Sequence, residues 1–277
     1  MQPLFRFAPS PNGYLHLGHA YSALINQHLA DACGGDVLLR IEDIDQGRAR
    51  PHFVEAIFED LDWLGLTYPQ PVRIQSQHFD FYHAQADRLR QQGLLYPCRC
   101  TRRQISAAAL HAQAGHDPDG APLHRREACS CQGAEADAPY ALRLDMSKAL
   151  ARVPDPLLIR AQDEAGQVFE RVAQPHLWGD VVLCRKDVPA SYHLAVVLDD
   201  AAQQITHVVR GQDLEAATDL HRLLQALLGL PSPLYTHHRL ITDGDGQKLA
   251  KSKLSKPLRQ WRADGVTAGA IRQMLGF

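Results

Sequence analysis

Long apolar runs are missing from this 277-residue sequence. None approaches the roughly 20 residues that a bilayer span requires, and the N-terminus carries no apolar signal-peptide core. A membrane is therefore not expected as a partner, and the expected compartment is the cytosol. An excess of positive charge is missing too. With 29 Lys and Arg against 31 Asp and Glu the net charge is -2, so the chain does not coat nucleic acid through a global basic field, and DNA is not expected as a partner. Contact with RNA would have to come from local patches. Candidates are Arg99, Arg102 and Arg103, Arg125 and Arg126, and Lys251, Lys253, Lys256, Arg259 and Arg262 near the end, each of which also reads as a solvated face. No internal repeat is visible. What remains is a chain with 45% hydrophobic residues, enough for one large domain with an insertion or for two modest ones.

The beginning reads as a βαβ unit, with strands at Leu4–Phe7 and Asp36–Ile41 around a helix over 18–32. Apolar Phe53, Ile57, Leu61 and Leu64 recur at a helical period over 51–65. Phe79, Tyr82, Ala86 and Leu89 repeat the pattern over 79–92, with Gly93 as its stop. Order weakens from 113 to 139, which reads as an exposed loop inside an insertion. Strand-like segments at 140–144, 168–171 and 181–184 follow before the chain rejoins its first unit near Ala190. Residues 213–228 form an amphipathic helix ended by Gly229 and Pro231.

Two short segments carry the chemistry. Ala8-Pro9-Ser10-Pro11-Asn12-Gly13-Tyr14-Leu15-His16-Leu17-Gly18-His19 puts two prolines and a glycine on a strand-to-helix turn, then two histidines three apart at the start of a helix. A helix N-terminus attracts phosphate through free N–H groups and the positive end of its dipole. Imidazoles there can donate hydrogen bonds as negative charge builds on a phosphoryl group, and Gly18 leaves room for a nucleotide against the backbone. Lys248-Leu249-Ala250-Lys251-Ser252 offers two lysines to the same polyphosphate. Each segment alone also reads as ordinary polar surface. In this order they resemble the HIGH and KMSKS signatures of class I aminoacyl-tRNA synthetases. Ala250 stands where that family usually has serine, which removes a hydroxyl and keeps both lysines. The resemblance implies an α/β fold, a Rossmann-like parallel sheet with an inserted α+β subdomain. It further implies ATP as substrate with Mg²⁺, catalytic roles for His16, His19, Lys248 and Lys251, and an ATP site that includes His16, Gly18, His19 and Lys251.

Arg6-Phe7-Ala8-Pro9-Ser10-Pro11 and Arg40-Ile41-Glu42-Asp43-Ile44-Asp45 are similar to the glutamyl branch of that family. So are Ser191-Tyr192-His193-Leu194-Ala195-Val196-Val197-Leu198-Asp199-Asp200 and His207-Val208-Val209-Arg210-Gly211-Gln212-Asp213-Leu214. The resemblance implies an L-glutamate pocket made by Arg6, Ala8, Ser10, Glu42, Tyr192 and Arg210. The chemistry suits two carboxylates and an ammonium, since a guanidinium pairs with a carboxylate in a planar fork and Glu42 can accept the ammonium. Singly, Arg40 and Glu42 also read as an ion pair alternating on a strand. Pro11-Asn12-Gly13-Tyr14-Leu15-His16 is similar to the glutaminyl branch as well, but that branch usually has glutamate where Ser10 stands. Asp43 and Asp45 receive no firm role.

The sequence reaches Phe277 soon after Ser252, whereas glutamyl-tRNA synthetases continue into a helical region that reads the anticodon. The expectation is therefore a resemblance to the truncated paralogues of that branch, which activate glutamate and attach it to the queuosine base in the anticodon of tRNA(Asp). Three alternatives stay open: a truncated glutamyl enzyme charging a tRNA 3′ end, a HIGH-type nucleotidyltransferase acting on a small metabolite, and a catalytically silent RNA-binding module. The expected organisation is 1–95 and 190–240 as two halves of the catalytic domain, 96–189 as the insertion, and 241–277 as the lysine loop with a short helical tail.

Four of the six cysteines fall in the insertion. Cys98-Arg99-Cys100 and Cys129-Ser130-Cys131 suggest Zn²⁺ before disulfides in a reducing cytosol. The family's second half-site has tyrosine and cysteine four residues apart, and the tyrosine is missing here: Arg125 precedes Cys129 and Glu127 precedes Cys131 at that spacing. Cys98, Cys100, Cys129 and Cys131 are the expected ligands. His124 could replace a later cysteine, and a lost site is the other possibility. Cys33 and Cys184 read as small core residues.

Overall fold

The computed structural model describes residues 2–129, 131, 139–241 and 256–277. Lys248, Ala250, Lys251, Ser252 and Lys253 lie outside the described residues, as does Ser130. β1 (Leu4–Phe7) leads into α1 (Leu17–Cys33), which stops at Gly34 because that residue takes the left-handed conformation, φ 66°. β2 (Asp36–Ile41), α2 (Pro51–Trp63) and β3 (Arg73–Ile74) follow, with Pro51 in the first turn of its helix, where a missing N–H costs nothing. β1 pairs with β2 and β2 with β3, all parallel. The chain continues through α3 (Phe79–Gln91), β4 (Leu95–Cys98), α4 (Arg102–His111), β5 (Ala141–Leu144) and α5 (Met146–Leu150). β6 (Leu158–Gln162), β7 (Val168–Val172), β8 (Val182–Cys184), α6 (Tyr192–Ala202), β9 (His207–Gly211), α7 (Ala217–Leu228) and β10 (Leu234–His238) come next. Two short helices, Leu258–Ala263 and Ala268–Leu275, complete the order.

β6, β10 and β9 are parallel neighbours, with β7 antiparallel on the outer edge. β4, β5 and β8 make a separate antiparallel sheet. Residues 96–189 thus supply strands to two sheets, because β6 and β7 extend the sheet of β9 and β10. β1 and β9 lie side by side without a shared strand ladder among the described residues. Their N-terminal ends are tied by Thr206, whose N–H donates to the Leu4 carbonyl (2.9 Å) and whose hydroxyl accepts from the Leu4 N–H (2.7 Å). Further along, the Val209 carbonyl accepts from the side chains of Arg6 and Asn26, both at 3.2 Å. The chain runs outward from this seam in both directions, β1 to β2 to β3 and β9 to β10. A parallel sheet has its binding crevice at such a switch point, beyond the carboxyl ends of the strands.

The core supports the seam. α1 buries Leu17, Ala20, Ala23 and Leu24 in a cluster with Phe7, Leu39, Ile41, Ile57 and Leu61, and each fully buried leucine or isoleucine stabilises by about 1.5–3 kcal/mol. α7 buries Leu220, Leu223 and Leu224 in a second cluster with Leu194, Val197 and Tyr235. The long amphipathic helix begins at Ala217, later than its sequence pattern suggests, because residues Gln212–Leu214 form a 3-10 turn. The periodic patterns over 51–65 and 79–92 are helices as expected. Cys184 is buried, but Cys33 is exposed in the last turn of α1, so its reading as a core residue is corrected. Among the described residues no helix is long and apolar enough to cross a membrane.

Candidate active site

A cleft of about 490 Å³ opens at the seam, bordered by Ala8, Ser10, His16, Gly18, His19 and Arg210. His16 caps α1. Its Nδ1 accepts from the Gly18 N–H, and the Nδ1 of His19 accepts from the His16 N–H, both at 3.2 Å. Two N–H groups expected to be free for an anion are therefore already satisfied by imidazoles. The same bonds place the ring protons, since a nitrogen that accepts cannot carry one. Burial lowers the pKa of both histidines. His19 is brought down to about 3 by burial and then by the neighbouring His16. Each ring is thus neutral with its N–H at Nε2, and the rings lie 3.9 Å apart. Glycine suits this cap, because a Cβ at Gly18 would come within 3.1 Å of the His16 ring and press on it.

Deeper in the crevice lies a dense charge cluster. Arg40 is fully buried and reaches Asp200 (2.6 Å), Glu42 (3.6 Å) and Asp199 (3.9 Å). Burial pulls its pKa down, but the carboxylates of Asp200, Asp199 and Glu42 more than offset that and leave it above the usual value. Arg6 donates from Nε to Asp200 at 3.2 Å. Burial opposes ionisation of Asp200 too, yet Arg6 and Arg40 keep its carboxyl below the usual range. Asp199 on α6 accepts from Arg73, Gln75 and Tyr82 at 2.8–2.9 Å. Glu42 has the weakest support. Burial raises it to about 7, against the opposing pull of Arg40 and Arg6. Arg210, 5% exposed, stands apart from the acids: it donates to Thr218 (2.7 Å) and His221 (3.1 Å), and its Nε has no partner. Among the described residues it makes no ion pair, so it is a buried cation facing the cleft without an anion. Tyr192 also borders this cleft, and burial raises its phenol.

A second cleft of about 600 Å³ adjoins the first and shares Ser10, Asn12, Glu42 and Tyr192 with it. Arg48, Arg102 and Arg185 stand on its rim. A small polar ligand held between the two clefts is therefore open to one partner from each side.

The sequence pattern of the family described as tRNA synthetases class I (E and Q), catalytic domain, matches residues 4–276. A protein of Rhodobacter capsulatus named Glutamyl-Q tRNA(Asp) synthetase is 44% identical, over 98% of this chain and 99% of that protein. The chain belongs to this family. A second member, from Nocardia farcinica and of the same name, is 43% identical over 89% of this chain and 75% of that protein. Among solved structures, a glutamate tRNA ligase from Elizabethkingia meningosepticum in complex with its amino acid superposes with a TM-score of 0.70 at 28% identity. That match covers 91% of this chain and 52% of the ligase, so the chain spans about half the length of the solved relative. The α/β class I synthetase fold and a ligase of the aminoacyl-tRNA synthetase type follow from membership, as does the use of ATP.

The cysteines in the antiparallel sheet's surroundings form one group. The sulfurs of Cys98, Cys100, Cys129 and Cys131 all lie within 4.8 Å of one another. A tetrahedral zinc with Zn–S distances of about 2.3 Å needs sulfurs roughly 3.8 Å apart. Cys100–Cys129 at 3.7 Å and Cys98–Cys129 at 3.9 Å fit, whereas Cys129–Cys131 at 2.7 Å would have to open. Burial opposes ionisation of Cys131, but hydrogen bonds, above all from Cys129, bring it down to about 7. Cys98 and Cys129 move the other way, both raised by burial. His124 approaches Cys98 at 3.7 Å but is not part of the four-sulfur group.

Arg6, Ala8, Ser10, Glu42, Tyr192 and Arg210 converge with His16, Gly18 and His19 around one cleft. Asp43 accepts from the Ser76 N–H and hydroxyl (2.8 and 2.6 Å), which pins the turn after β3. Asp45 faces the larger cleft and pairs with Arg48 at 2.7 Å. Of the basic candidates, Arg102 lines the larger cleft. Arg126 pairs with Asp145, Lys256 with Asp264 and Arg262 with Glu59, as Arg48 and Arg185 on the cleft rim pair with Asp45. The sequence reading missed Asp199 and Asp200, although two adjacent acids in the apolar run of α6 are a signal that buried cations must meet them.

Proposed function

We propose that this protein activates L-glutamate with ATP and transfers it to the queuosine base in the anticodon of tRNA(Asp). The observation that carries this reading is the likeness to the Rhodobacter capsulatus protein over nearly the whole of both chains. The site is consistent with it. Glutamate presents two carboxylates and an ammonium. Arg210 takes the carboxylate that its cleft lacks, Arg6 steadies the same end of the ligand, and Glu42 takes the ammonium. Ser10 and the Ala8 backbone border the ligand, and the Tyr192 phenol closes the pocket between the clefts.

In the first step a carboxylate oxygen of glutamate forms a bond to the α-phosphorus of ATP, and the bond to pyrophosphate breaks. The Nε2–H groups of His16 and His19 donate to the phosphate oxygens as charge accumulates, without a charge of their own. Lys248 and Lys251 serve the same phosphates, and Mg²⁺ when bound screens the departing pyrophosphate. In the second step a hydroxyl of the acceptor enters from the larger cleft, forms an ester with the glutamyl carbonyl and displaces AMP. Arg48, Arg102 and Arg185 hold phosphates of the incoming loop. Residues 96–189 carry Cys98, Cys100, Cys129 and Cys131, which would hold a zinc ion and through it tie together the segments around them. We place the protein in the cytoplasm, where its RNA partner is found. Metal analysis of protein prepared without chelators should find about one zinc per chain, lost when Cys98 and Cys100 are both replaced by serine.

The test is incubation with ATP, labelled glutamate and total tRNA with or without queuosine, followed by cleavage in the anticodon loop. Label on an anticodon fragment of the queuosine-containing RNA alone is expected. Label that remains with the 3′ terminal ribose would make this a 3′-charging glutamyl enzyme. Absence of glutamate-dependent ATP–pyrophosphate exchange would favour a nucleotidyltransferase of small metabolites.

A further inference from the structure

Three basic side chains from different elements form a hydrogen-bonded line across the seam between the two clefts. The Nη1 of Arg210 lies 3.1 Å from the Nδ1 of His221, and the Nε2 of His221 lies 3.1 Å from the Nδ1 of His193. A guanidinium has donors only. The Nδ1 of His221 must therefore supply a lone pair. His221 is buried, at 2% exposure, and burial followed by the charge of Arg210 keeps its pKa well below the usual value. Its single proton consequently sits on Nε2 and is donated to His193. The Nδ1 of His193 is then an acceptor in turn. Burial, and after it the charge of Arg210, lowers His193 to about 4. The one proton of the His193 ring must be on Nε2.

His193 is partly exposed and lines the larger cleft with Tyr192 and Trp178, its ring packed edge-on to Trp178 at a centroid distance of 5.2 Å. We infer that His193 is a specificity-determining residue for the acceptor, a hydrogen-bond donor of fixed tautomer that reads a lone pair on the incoming nucleoside, with His221 as the positioning residue that relays the setting from Arg210. The chemistry it selects is an oxygen or nitrogen acceptor atom. The same line excludes His193 as the base that deprotonates the attacking hydroxyl, because Nε2 already holds a proton and the Nδ1 lone pair is engaged by His221. This inference rests on reading the larger cleft as the acceptor's.

Two measurements test it. Long-range ¹H–¹⁵N correlation spectra of the full chain with labelled histidine should show His193 and His221 both protonated at Nε2 and bare at Nδ1. A proton on Nδ1 of either ring would overturn the relay. Transfer to queuosine-containing tRNA is then compared between His193→Gln and His193→Leu, each divided by the activation rate of the same variant. Glutamine carries an amide N–H near the place of Nε2 and should keep the ratio within about threefold, whereas leucine should lower it about tenfold, the scale of one hydrogen bond. Equal ratios in the two variants would overturn the donor role. If the unsubstituted protein itself transfers nothing to that RNA, the reading of the cleft falls and the donor role falls with it, while the tautomers in the spectra still report on the relay separately.

Discussion

Among the described residues two pairs of histidines lie ring against ring, and they are held in opposite ways. His16 and His19 are three residues apart and are fixed by backbone N–H groups at the start of α1. His193 and His221 are fixed by a guanidinium brought from β9. Both pairs end with neutral rings and a proton at Nε2. The first arrangement needs only the local chain, so it forms wherever the helix does. The second depends on α6, α7 and β9 meeting correctly and on the charge of one arginine. The pair at the start of α1 is thus a local device, and the pair of α6 and α7 reports the assembly of the whole site.

Arg210→Ala is the largest break in this contrast. Removing it takes away both the anion partner and the anchor of the second pair. Glutamate binding should weaken on the order of 2–5 kcal/mol by calorimetry, with far less change in ATP binding. Matched losses for the two ligands would move Arg210 out of the amino-acid pocket. His16→Asn probes the first pair more finely. Asparagine is a good helix cap, so thermal stability should hold within about 1 kcal/mol, but the Nε2–H is gone and activation should slow by about 10²–10³-fold. A variant that melts early and activates normally would make His16 a cap alone.

The charge between the pairs gives a pH test. Glu42 is raised to about 7, first by burial, and it must be ionised to receive an ammonium. Ionisation in the free protein is complete only above that value, so glutamate affinity should be full at pH 8 and fall as pH drops through 7, approaching tenfold per unit below it. Calorimetry on Glu42→Gln should give weaker and nearly flat binding over the same range. A parent profile with no slope between pH 8 and 6 would remove Glu42 from ammonium recognition. The smallest effect belongs to the rim. Arg102→Ala should reduce the salt slope of transfer by about one, the share of one phosphate contact, and an unchanged slope would put Arg102 outside the RNA path.

The contrast between the pairs also marks what the sequence could disclose. His16, Gly18 and His19 sit within one helical turn, and Leu4–Phe7, Asp36–Ile41 and the periodic helices are fixed by local pattern, so the fold class was legible, as was the meeting of those three residues at one cleft. The four cysteines were legible as a group because chemistry, not topology, selects them. What stayed hidden was long-range. Nothing near His193 announces His221, and the bond of Arg40 to Asp200 joins residues from opposite sides of the seam. α4 went unread although Thr101 and Gln104 form a capping box at its start, a signal the sequence did carry, and β6 went unread because its five residues show only a weak apolar alternation. Cys33 misled for a related reason: its residue type favours burial, but its place in the last turn of α1 turns it outward.

The seam itself sets a limit on how this protein can change. At the catalytic end the two halves of the sheet are joined through the side chains of Arg6 and Asn26 on the Val209 carbonyl, and Arg6 also holds Asp200. The guanidinium that borders the cleft is therefore also masonry. A lysine at that place has a single ammonium on a flexible stem and cannot span carboxylate and carbonyl from one rigid plane. Replacing Arg6 to suit a different amino acid would loosen the wall in which the pocket is set, whereas Ser10 makes no side-chain hydrogen bond among the described residues and can change without that cost.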